Sequence, residues 1–255
     1  MFDPGHFQLD GQTALVTGAG AGIGRGIAEM FAGAGAAVVV SDLQLETAEA
    51  VAAEIVEAGG RAVGVACNVT DEADLEAAVR TAVDRFGGLT ILVNNAGGGG
   101  PKPFDMPMAD FRWAYEINVF APFRLTQLAV PHMERAGGGA VLNISSMSAE
   151  NKNQRMASYG SSKAAISHLT RNIAFDLGPK GIRVNAIAPG AIRTDALAKV
   201  LTPDVEAAML EHTPLERLGE PADIAHAALF LCAPASAWVS GQILTVSGGG
   251  VQELD

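Results

Sequence analysis

The chain has 255 residues, of which 49% are hydrophobic and 18% charged, and its formal net charge is −11. This length and composition predict one globular domain over residues 1–255, near the largest size that a single hydrophobic core organises. The acidic balance, without any cluster of lysines or arginines, excludes the basic surface that a nucleic acid or an anionic membrane would require.

The first residues and the two cysteines bear on location. The beginning of the chain carries an acid at Asp3 and lacks the basic-then-apolar order of a signal peptide. The sequence contains no run of about 18 apolar residues, so it predicts no membrane-spanning helix. Cys67 and Cys232 lie in apolar stretches and cannot supply a disulfide framework. We expect a cytoplasmic protein.

Short β-branched runs alternate with longer, alanine-rich amphipathic stretches along the chain. Predicted strands cover residues 13–17, 37–41, 61–67, 89–94, 140–145, 182–187 and 242–246. Predicted helices begin at about residue 22 and at the cap signal of residues 70–72, and cover 45–58, about 109–135, 157–177 and 221–232. Because crossovers between parallel strands are right-handed and helical, the alternation predicts an α/β fold. The expected architecture is a single-domain Rossmann-type doubly wound parallel sheet of about seven strands, with helices on both faces.

A glycine-rich loop joins the first predicted strand to the first helix, in the order T-G-x-x-x-G-I-G over residues 17–24. The generic G-x-G-x-x-G pattern is not satisfied in any register. Glycines here let backbone N–H groups approach a pyrophosphate at the positive end of the helix. Taken alone, the loop could also be a turn without a ligand.

Asp42 ends the second predicted strand, where a carboxylate can accept hydrogen bonds from an adenosine ribose. A carboxylate there repels a 2′-phosphate, and the next residue, Leu43, offers no compensating cation. The position therefore favours NAD over NADP. Capping of the next helix is the alternative role for Asp42, and the two roles are compatible.

Four further residues suggest hydride-transfer chemistry. Tyr159 and Lys163 lie four apart on one predicted helix, hence on one face. Ser146 closes the strand that feeds this helix, and Asn118 lies inside the preceding long helix, in an apolar context unusual for asparagine. A lysine ammonium and a positively charged nicotinamide would lower the pKa of the Tyr159 phenol, which is otherwise a poor base at neutral pH.

The other groups have matching roles. The Ser146 hydroxyl can hydrogen-bond the reacting oxygen, Lys163 can hold the nicotinamide ribose, and Asn118 could hold a water that links Lys163 to solvent. Taken singly, each has a more common explanation, because a helical tyrosine near a lysine is usually packing beside a solvated charge. Their coincidence with the glycine loop favours a catalytic site.

Together these residues resemble the short-chain dehydrogenase/reductase family, nearly from end to end. Residues 17–24 resemble its cofactor loop, residues 94–97 (NNAG) its N-N-A-G element, and residues 189–194 its P-G-x-I-x-T loop. The resemblance implies an NAD-dependent oxidoreductase with a catalytic tetrad of Asn118, Ser146, Tyr159 and Lys163, in which Tyr159 is the general base. The implied cofactor contacts are Gly18, Gly22, Ile23, Gly24, Asp42, Leu43, Asn68, Val69, Asn95, Ala96, Gly97, Tyr159, Lys163, Pro189, Gly190, Ile192 and Thr194.

One departure is Asn68, where the family commonly has an aspartate beside the adenine. An amide oxygen can still accept a hydrogen bond from the adenine amino group, so we expect binding to survive with altered strength.

Residues 97–109, 149–152, 158–165 and 240–254 resemble the members of the family that act on hydroxysteroids. The resemblance implies a small-molecule steroid or bile acid substrate and the reversible oxidation of its 7α-hydroxyl to a ketone. It also implies substrate contacts from Gly99, Ser146, Asn151 and Tyr159, and a homotetramer to which residues 251–255 contribute.

Two segments suggest how such a substrate is accommodated. Four consecutive glycines, residues 97–100, predict an open cleft wall suited to a flat, bulky substrate, with a flexible turn as the alternative. Residues 191–212 predict a lid ordered by cofactor or substrate.

Other functions stay open at this point. A different secondary-alcohol dehydrogenase or a 3-oxoacyl thioester reductase would use the same tetrad, although Asp42 and the acidic surface weigh against the reductase. A nucleotide-sensing or scaffold protein would be expected to have lost Tyr159, Lys163 or Ser146, and all three are present. Five scattered histidines predict no metal site.

Overall fold

Seven short strands lie side by side in one fully parallel sheet in the computed structural model, which describes residues 3–151 and 154–250. The strands are β1 (Thr13–Thr17), β2 (Ala37–Asp42), β3 (Arg61–Ala66), β4 (Ile91–Asn94), β5 (Gly139–Ile144), β6 (Ile182–Pro189) and β7 (Ile243–Val246). Their order is β3-β2-β1-β4-β5-β6-β7. The strand order reverses between β1 and β4, the point at which doubly wound sheets bind their ligands.

Nine α-helices connect and cover the strands of this described part. They are α1 (Gly22–Gly33), α2 (Leu45–Glu57), α3 (Glu72–Phe86), α4 (Met108–Tyr115), α5 (Ala121–Arg135), α6 (Ala157–Leu177), α7 (Asp195–Ala198), α8 (Pro203–Glu211) and α9 (Pro221–Cys232). Short 3₁₀ turns cover Pro4–Phe7, Met147–Ala149, Gly178–Lys180 and Pro234–Ser236. The predicted fold class is confirmed.

Successive strand residues face opposite sides of the sheet and supply two separate cores. In β1, Ala14 and Val16 pack with α1, α2 and α9 on one side. Leu15 packs with α3, α5 and α6 on the other. Because both faces are covered, the strands are nearly continuous apolar runs, as the sequence predicted.

The predicted helix over 109–135 is interrupted around Asn118. Between α4 and α5, Glu116–Phe120 forms a π-helical turn, in which the Ala121 N–H bonds to the Glu116 carbonyl. The α-helical partner of residue 122 would be the Asn118 carbonyl, but Pro122 has no N–H to donate. The wider turn therefore sacrifices no hydrogen bond at that position.

Several boundaries also differ from the prediction. Strand β5 ends at Ile144, so Ser146 lies in the loop beyond it, and β6 continues to Pro189. The segment over residues 191–212, predicted as a lid, contains the two short helices α7 and α8. Lys152, within one of the passages that carry the resemblance, and the tail at 251–255 lie outside the described residues.

Candidate active site

The glycine loop after β1 is shaped by two residues with left-handed backbone, Gly18 (φ 61°) and Gly22 (φ 56°). The Asn95 side chain braces the loop by donating from Nδ2 to the carbonyls of Thr17 (2.8 Å) and Gly18 (3.0 Å). A Cβ on Gly24 would lie 2.2 Å from the Gly18 carbonyl oxygen, so only glycine lets α1 approach the loop this closely. The result is a backbone cradle at the N-terminus of α1.

Asp42 lies across from this cradle at the end of β2. Its Oδ2 accepts a hydrogen bond from the Gly20 N–H (2.9 Å), and its Oδ1 accepts one from the Gln44 N–H (3.3 Å). Gln44, not Asp42, is the N-cap of α2 and makes no side-chain cap. The carboxylate thus connects the loop to the end of the strand rather than capping the helix.

A groove of about 600 Å³ runs along the carboxyl edge of the sheet. The predicted cofactor residues line it with one exception: Gly18, Gly22, Ile23, Asp42, Leu43, Asn68, Val69, Asn95, Ala96, Gly97, Tyr159, Lys163, Pro189, Gly190, Ile192 and Thr194. The exception is Gly24, which packs beneath the loop. Lys163 is the single cation among the described lining residues, against the carboxylates of Asp42 and Asp195. An anionic ligand here would depend on backbone N–H groups.

The Asn68 side chain makes its hydrogen bonds within its own turn. Its Oδ1 accepts hydrogen bonds from the Thr70 N–H (3.1 Å) and the Thr70 hydroxyl (2.8 Å). Both lone pairs of the amide oxygen are therefore engaged, and the expected contact with an adenine amino group would have to displace Thr70.

Tyr159 and Lys163 lie one turn apart on α6, with the Lys163 Nζ 5.8 Å from the centre of the Tyr159 ring. Lys163 is buried and donates from Nζ to the Ile144 carbonyl (2.8 Å). Burial lowers the pKa of Lys163 to about 8. Burial also raises the pKa of Tyr159, while a hydrogen bond with Ser146 opposes the rise. The chain by itself therefore does not produce the expected lowering of the Tyr159 pKa.

Ser146 reaches the same end of the groove from the loop after β5. It is the N-cap of the 3₁₀ turn Met147–Ala149, and its Oγ accepts a hydrogen bond from the Ser148 N–H (3.1 Å). Ser146 and Tyr159 both line the groove, so a substrate oxygen placed between them would meet two hydroxyl groups.

Asn118 lies in the π-helical turn, is buried, and does not line the groove. Its Nδ2 donates to the Gly98 carbonyl (2.7 Å) and to the Ser162 hydroxyl (3.1 Å), and its Oδ1 accepts from the Gly98 N–H (3.2 Å). The expectation that Asn118 holds a water stays a prediction, and its main-chain carbonyl, which has no N–H donor at Pro122, is the atom that could accept from one. The side-chain amide is used to fix the peptide of Gly98.

The glycine run at residues 97–100 was predicted to open the cleft wall, and three of the four, Gly97, Gly98 and Gly99, line the groove. A Cβ on Gly97 would lie 2.8 Å from the Asn118 Oδ1, and one on Gly99 (φ 122°) 2.9 Å from the Tyr159 ring. At Gly98 it would lie 2.4 Å from the Trp113 indole. A Cβ on Gly100 would meet nothing within 4 Å. At the other three positions, glycine lets neighbouring side chains approach the backbone.

The predicted substrate residues divide between two cavities. Gly99, Ser146 and Tyr159 line the main groove. Asn151 lines a second cavity of about 230 Å³, which shares Ser146 and Pro189 with the groove. The two spaces meet beside Ser146, so a ligand reacting there could extend into either.

Some groove residues were not found by sequence reasoning. Ala21, Cys67, Gly98, Ile117, Ile144, Ser145, Asp195 and Ala196 also line it. Apart from Asp195, their side chains are apolar, absent or small, and nothing in the sequence distinguishes them from core residues. Asp195 directly follows Thr194, a predicted cofactor residue. Its place next to Thr194 in the sequence is the one feature that could have indicated it.

Residues 3–151 and 154–250 contain no group of three or more histidine, cysteine, aspartate or glutamate side chains that could hold a metal ion. In the same described ranges, no helix is long and apolar enough to cross a membrane.

Comparison with known proteins agrees with this geometry. A family model described as enoyl-(acyl carrier protein) reductase matches residues 18–250. The 7α-hydroxysteroid dehydrogenase of Escherichia coli K12 is 63% identical over 255 residues, which cover 100% of both chains.

Solved structures give the same result. A 7α-hydroxysteroid dehydrogenase complexed with NADH and 7-oxo glycochenodeoxycholic acid matches with a TM-score of 0.97 and 63% identity, covering 100% of both chains. A short-chain type dehydrogenase/reductase from Mycobacterium marinum matches with a TM-score of 0.90 and 35% identity, over 95% of this chain and 96% of the other. The chain belongs to the short-chain dehydrogenase/reductase family.

Proposed function

We propose that this chain is an NAD-dependent 7α-hydroxysteroid dehydrogenase, which reversibly oxidises the 7α-hydroxyl of a bile acid or steroid to a ketone. One observation carries the proposal. Tyr159, Ser146 and Lys163 meet at one end of a dinucleotide-sized groove in a chain 63% identical, over its full length, to the Escherichia coli enzyme of that activity.

The groove fits a nicotinamide dinucleotide. The glycine cradle at the N-terminus of α1 offers backbone N–H groups to a pyrophosphate, and Asp42 stands where an adenosine ribose would present its hydroxyls. Thr194 and Ile192, beyond β6, would hold the nicotinamide end. Bound NAD supplies the hydride acceptor and a positive charge near the phenol.

The reacting alcohol would lie between the two hydroxyl-bearing side chains. Tyr159, as phenolate, takes the hydroxyl proton as the carbon gives up its hydride, and the Ser146 hydroxyl donates a hydrogen bond to the same oxygen. The Lys163 ammonium favours the phenolate against the effect of burial. Asn118 contributes by holding the Gly98 peptide beside these groups.

The second cavity offers space for the rest of a ring system. Met147 and Met209 contribute adaptable apolar walls, while Asn151 and His212 contribute polar groups. Such a mixture suits an amphipathic steroid that carries hydroxyl groups. We propose that Gly99 and Asn151 contact the substrate on either side of the reacting carbon.

The decisive assay follows NADH formation with cholic, chenodeoxycholic and ursodeoxycholic acids, with NAD and NADP in parallel. We expect oxidation of the first two acids and not of the third, the 7β epimer, with NAD preferred. Silence with all three, while NAD binding is demonstrated, would refute the substrate. A preference for NADPH with 3-oxoacyl thioesters would instead support a reductase.

We also propose a homotetramer. Large apolar side chains remain exposed on the π-helical turn, α5, α6, β7 and the segment before β7, among them Phe120, Phe123, Phe175, Leu244 and Trp238. Phe175 is 89% exposed and Trp238 100% exposed, which is unusual unless a partner covers them. Light scattering should give four times the 26.2 kDa chain mass, and Phe175→Asp should lower it. A monomeric native protein would contradict this.

The cytoplasmic location is likewise a proposal. Cys67 and Cys232 are both free and buried, and burial raises their pKa values to about 11 and about 12. Buried cysteines that form no disulfide bond are typical of proteins in a reducing compartment. Fractionation of the native host should place the protein with cytoplasmic markers.

A further inference from the structure

Trp113, on α4, occupies the space beside Gly98 where a side chain would stand. A Cβ built on Gly98 would lie 2.4 Å from the indole Cη2 and 3.2 Å from Cζ2 and Cζ3. Gly98 does not have a left-handed backbone, so its conformation alone does not require glycine. Glycine fits at position 98 because it has no side chain to collide with the Trp113 indole.

The peptide of Gly98 is also held by Asn118. Asn118 accepts from the Gly98 N–H (3.2 Å) and donates to the Gly98 carbonyl (2.7 Å). Its own position is fixed by burial and by the Ser162 hydroxyl. Gly98 is therefore restrained by the indole of α4 and by the amide of the π-helical turn.

The neighbours of Gly98 lie against the proposed catalytic side chains. A Cβ on Gly97 would be 3.1 Å from the Lys163 Nζ, and one on Gly99 would be 2.9 Å from the Tyr159 Cδ2. A displacement of the Gly98 peptide would therefore change the spacing around both. Consecutive glycines lose more conformational freedom on ordering than any other residues, so contacts from outside are needed to hold them.

We propose that Trp113 is a positioning residue for hydride transfer, because its indole holds the Gly98 peptide against Asn118 and so fixes the groove wall beside Tyr159 and Lys163. Trp113 is half-exposed and does not line the groove, so its effect passes through Gly98. This inference rests on the proposed function. Its test separates the two.

Three variants form the experiment: Trp113→Ala, Gly98→Ala and the double variant. Trp113→Ala frees the peptide and Gly98→Ala collides with the indole, so each should lower kcat about 10-fold, as misplaced reacting groups do. The double variant has no indole for the new methyl to collide with, so its kcat should match that of Trp113→Ala within about threefold instead of falling by the product of the two losses. The KM for NAD should change less than about threefold throughout.

Val56→Ala on α2 is the control, because Val56 is half-exposed like Trp113, does not line the groove and should leave kcat unchanged. Unfolding curves for every variant separate lost positioning from lost stability. Unchanged kcat in Trp113→Ala, or a double variant whose loss is the product of the two single losses, would overturn the inference.

Hydrogen exchange gives a readout that does not depend on substrate. The Gly98 amide, bonded to Asn118 in the wild type, should exchange at least about 10-fold faster in Trp113→Ala and in the double variant, and at the wild-type rate in Val56→Ala. If the wild type oxidises no bile acid but shows this exchange pattern, the proposed substrate fails and the positioning contact stands. Equal exchange in all proteins refutes the contact itself.

Discussion

We expect Asp42 to couple cofactor choice to the shape of the glycine loop, since its carboxylate accepts a hydrogen bond from the Gly20 N–H and lines the groove. Asp42→Ala removes the negative charge that would face a 2′-phosphate. The ratio of kcat/KM for NAD to that for NADP should fall about 100-fold, equivalent to about 3 kcal/mol.

The ratio is the informative quantity, because the loss of the Gly20 hydrogen bond should weaken both cofactors. Asp195→Ala removes the other carboxylate that lines the groove and should leave the ratio nearly unchanged. An Asp42→Ala enzyme that still rejects NADP would show that another residue excludes the phosphate.

We expect Lys163 to be needed for hydride transfer and to lower the stability of the fold. Burial holds its pKa near 8, against 10.5 for an exposed lysine, so the charged form destabilises the fold by about 3 kcal/mol. Lys163→Met should abolish turnover yet raise the free energy of unfolding at pH 7 by about 2 kcal/mol, after about 1 kcal/mol is lost with the Ile144 hydrogen bond.

The pH dependence tests the cause. Between pH 8 and pH 10.5 the unfolded wild type binds more protons at this position than the folded protein, so wild-type stability rises with pH relative to the variant. Denaturant unfolding from pH 7 to pH 9.5 should therefore show the advantage of Lys163→Met shrinking. A constant difference would mean that the gain comes from packing, and Lys102→Met, at an exposed lysine, is the control.

At the scale of elements, two of the four glycines of helix α1, Gly24 and Gly33, are in opposite situations. A Cβ on Gly24 would lie 2.2 Å from the Gly18 carbonyl oxygen and 2.4 Å from the Asn95 Nδ2, whereas nothing lies within 4 Å of one on Gly33. Gly24→Ala should weaken NAD binding by at least about 10-fold by forcing the helix from the loop.

Gly33→Ala is the matched control on the same helix. It should raise the free energy of unfolding by about 0.5–1 kcal/mol, because alanine favours the helix, with no change in NAD affinity. NADH fluorescence titration and denaturant unfolding measure both quantities. Equal NAD affinity in the two variants would show that the close approach of α1 is unnecessary.

The sequence predicted the sheet and its edge well, because the apolar period and the glycine punctuation of each strand are local signals. It placed Tyr159 and Lys163 on one helical face for the same reason. It did not predict the π-helical turn. The choice between α- and π-helical bonding at Glu116–Phe120 depends on the tertiary hydrogen bonds that the Asn118 side chain makes. Residue types also could not show that Trp113 lies beside Gly98.

Over the whole molecule, net charge and groove chemistry combine to make an unusual expectation for an anion-binding protein. The chain carries a net charge of −11, and Lys163 is the single cation among the described groove residues. Cofactor affinity should therefore come from backbone dipoles and hydrogen bonds, with little ion pairing. Added salt would screen repulsion rather than attraction.

We expect the Kd for NADH to decrease slightly, by less than about twofold, as ionic strength rises from 0.01 M to 0.15 M. Fluorescence titration at matched osmolarity checks this, with sucrose as the control for solvent effects. A Kd that weakens severalfold with salt would reveal a cationic contribution to the site from elsewhere in the chain.

The strand order also has a consequence for how the chain folds. Strand β1 ends at Thr17, but β4, its second neighbour, begins at Ile91, so the middle of the sheet stays open on one side until that distant segment has been synthesised. Every strand pair is parallel and joins residues far apart in sequence, which makes loop closure slow. During that interval the edge of β1 that β4 later covers is open to association with other chains.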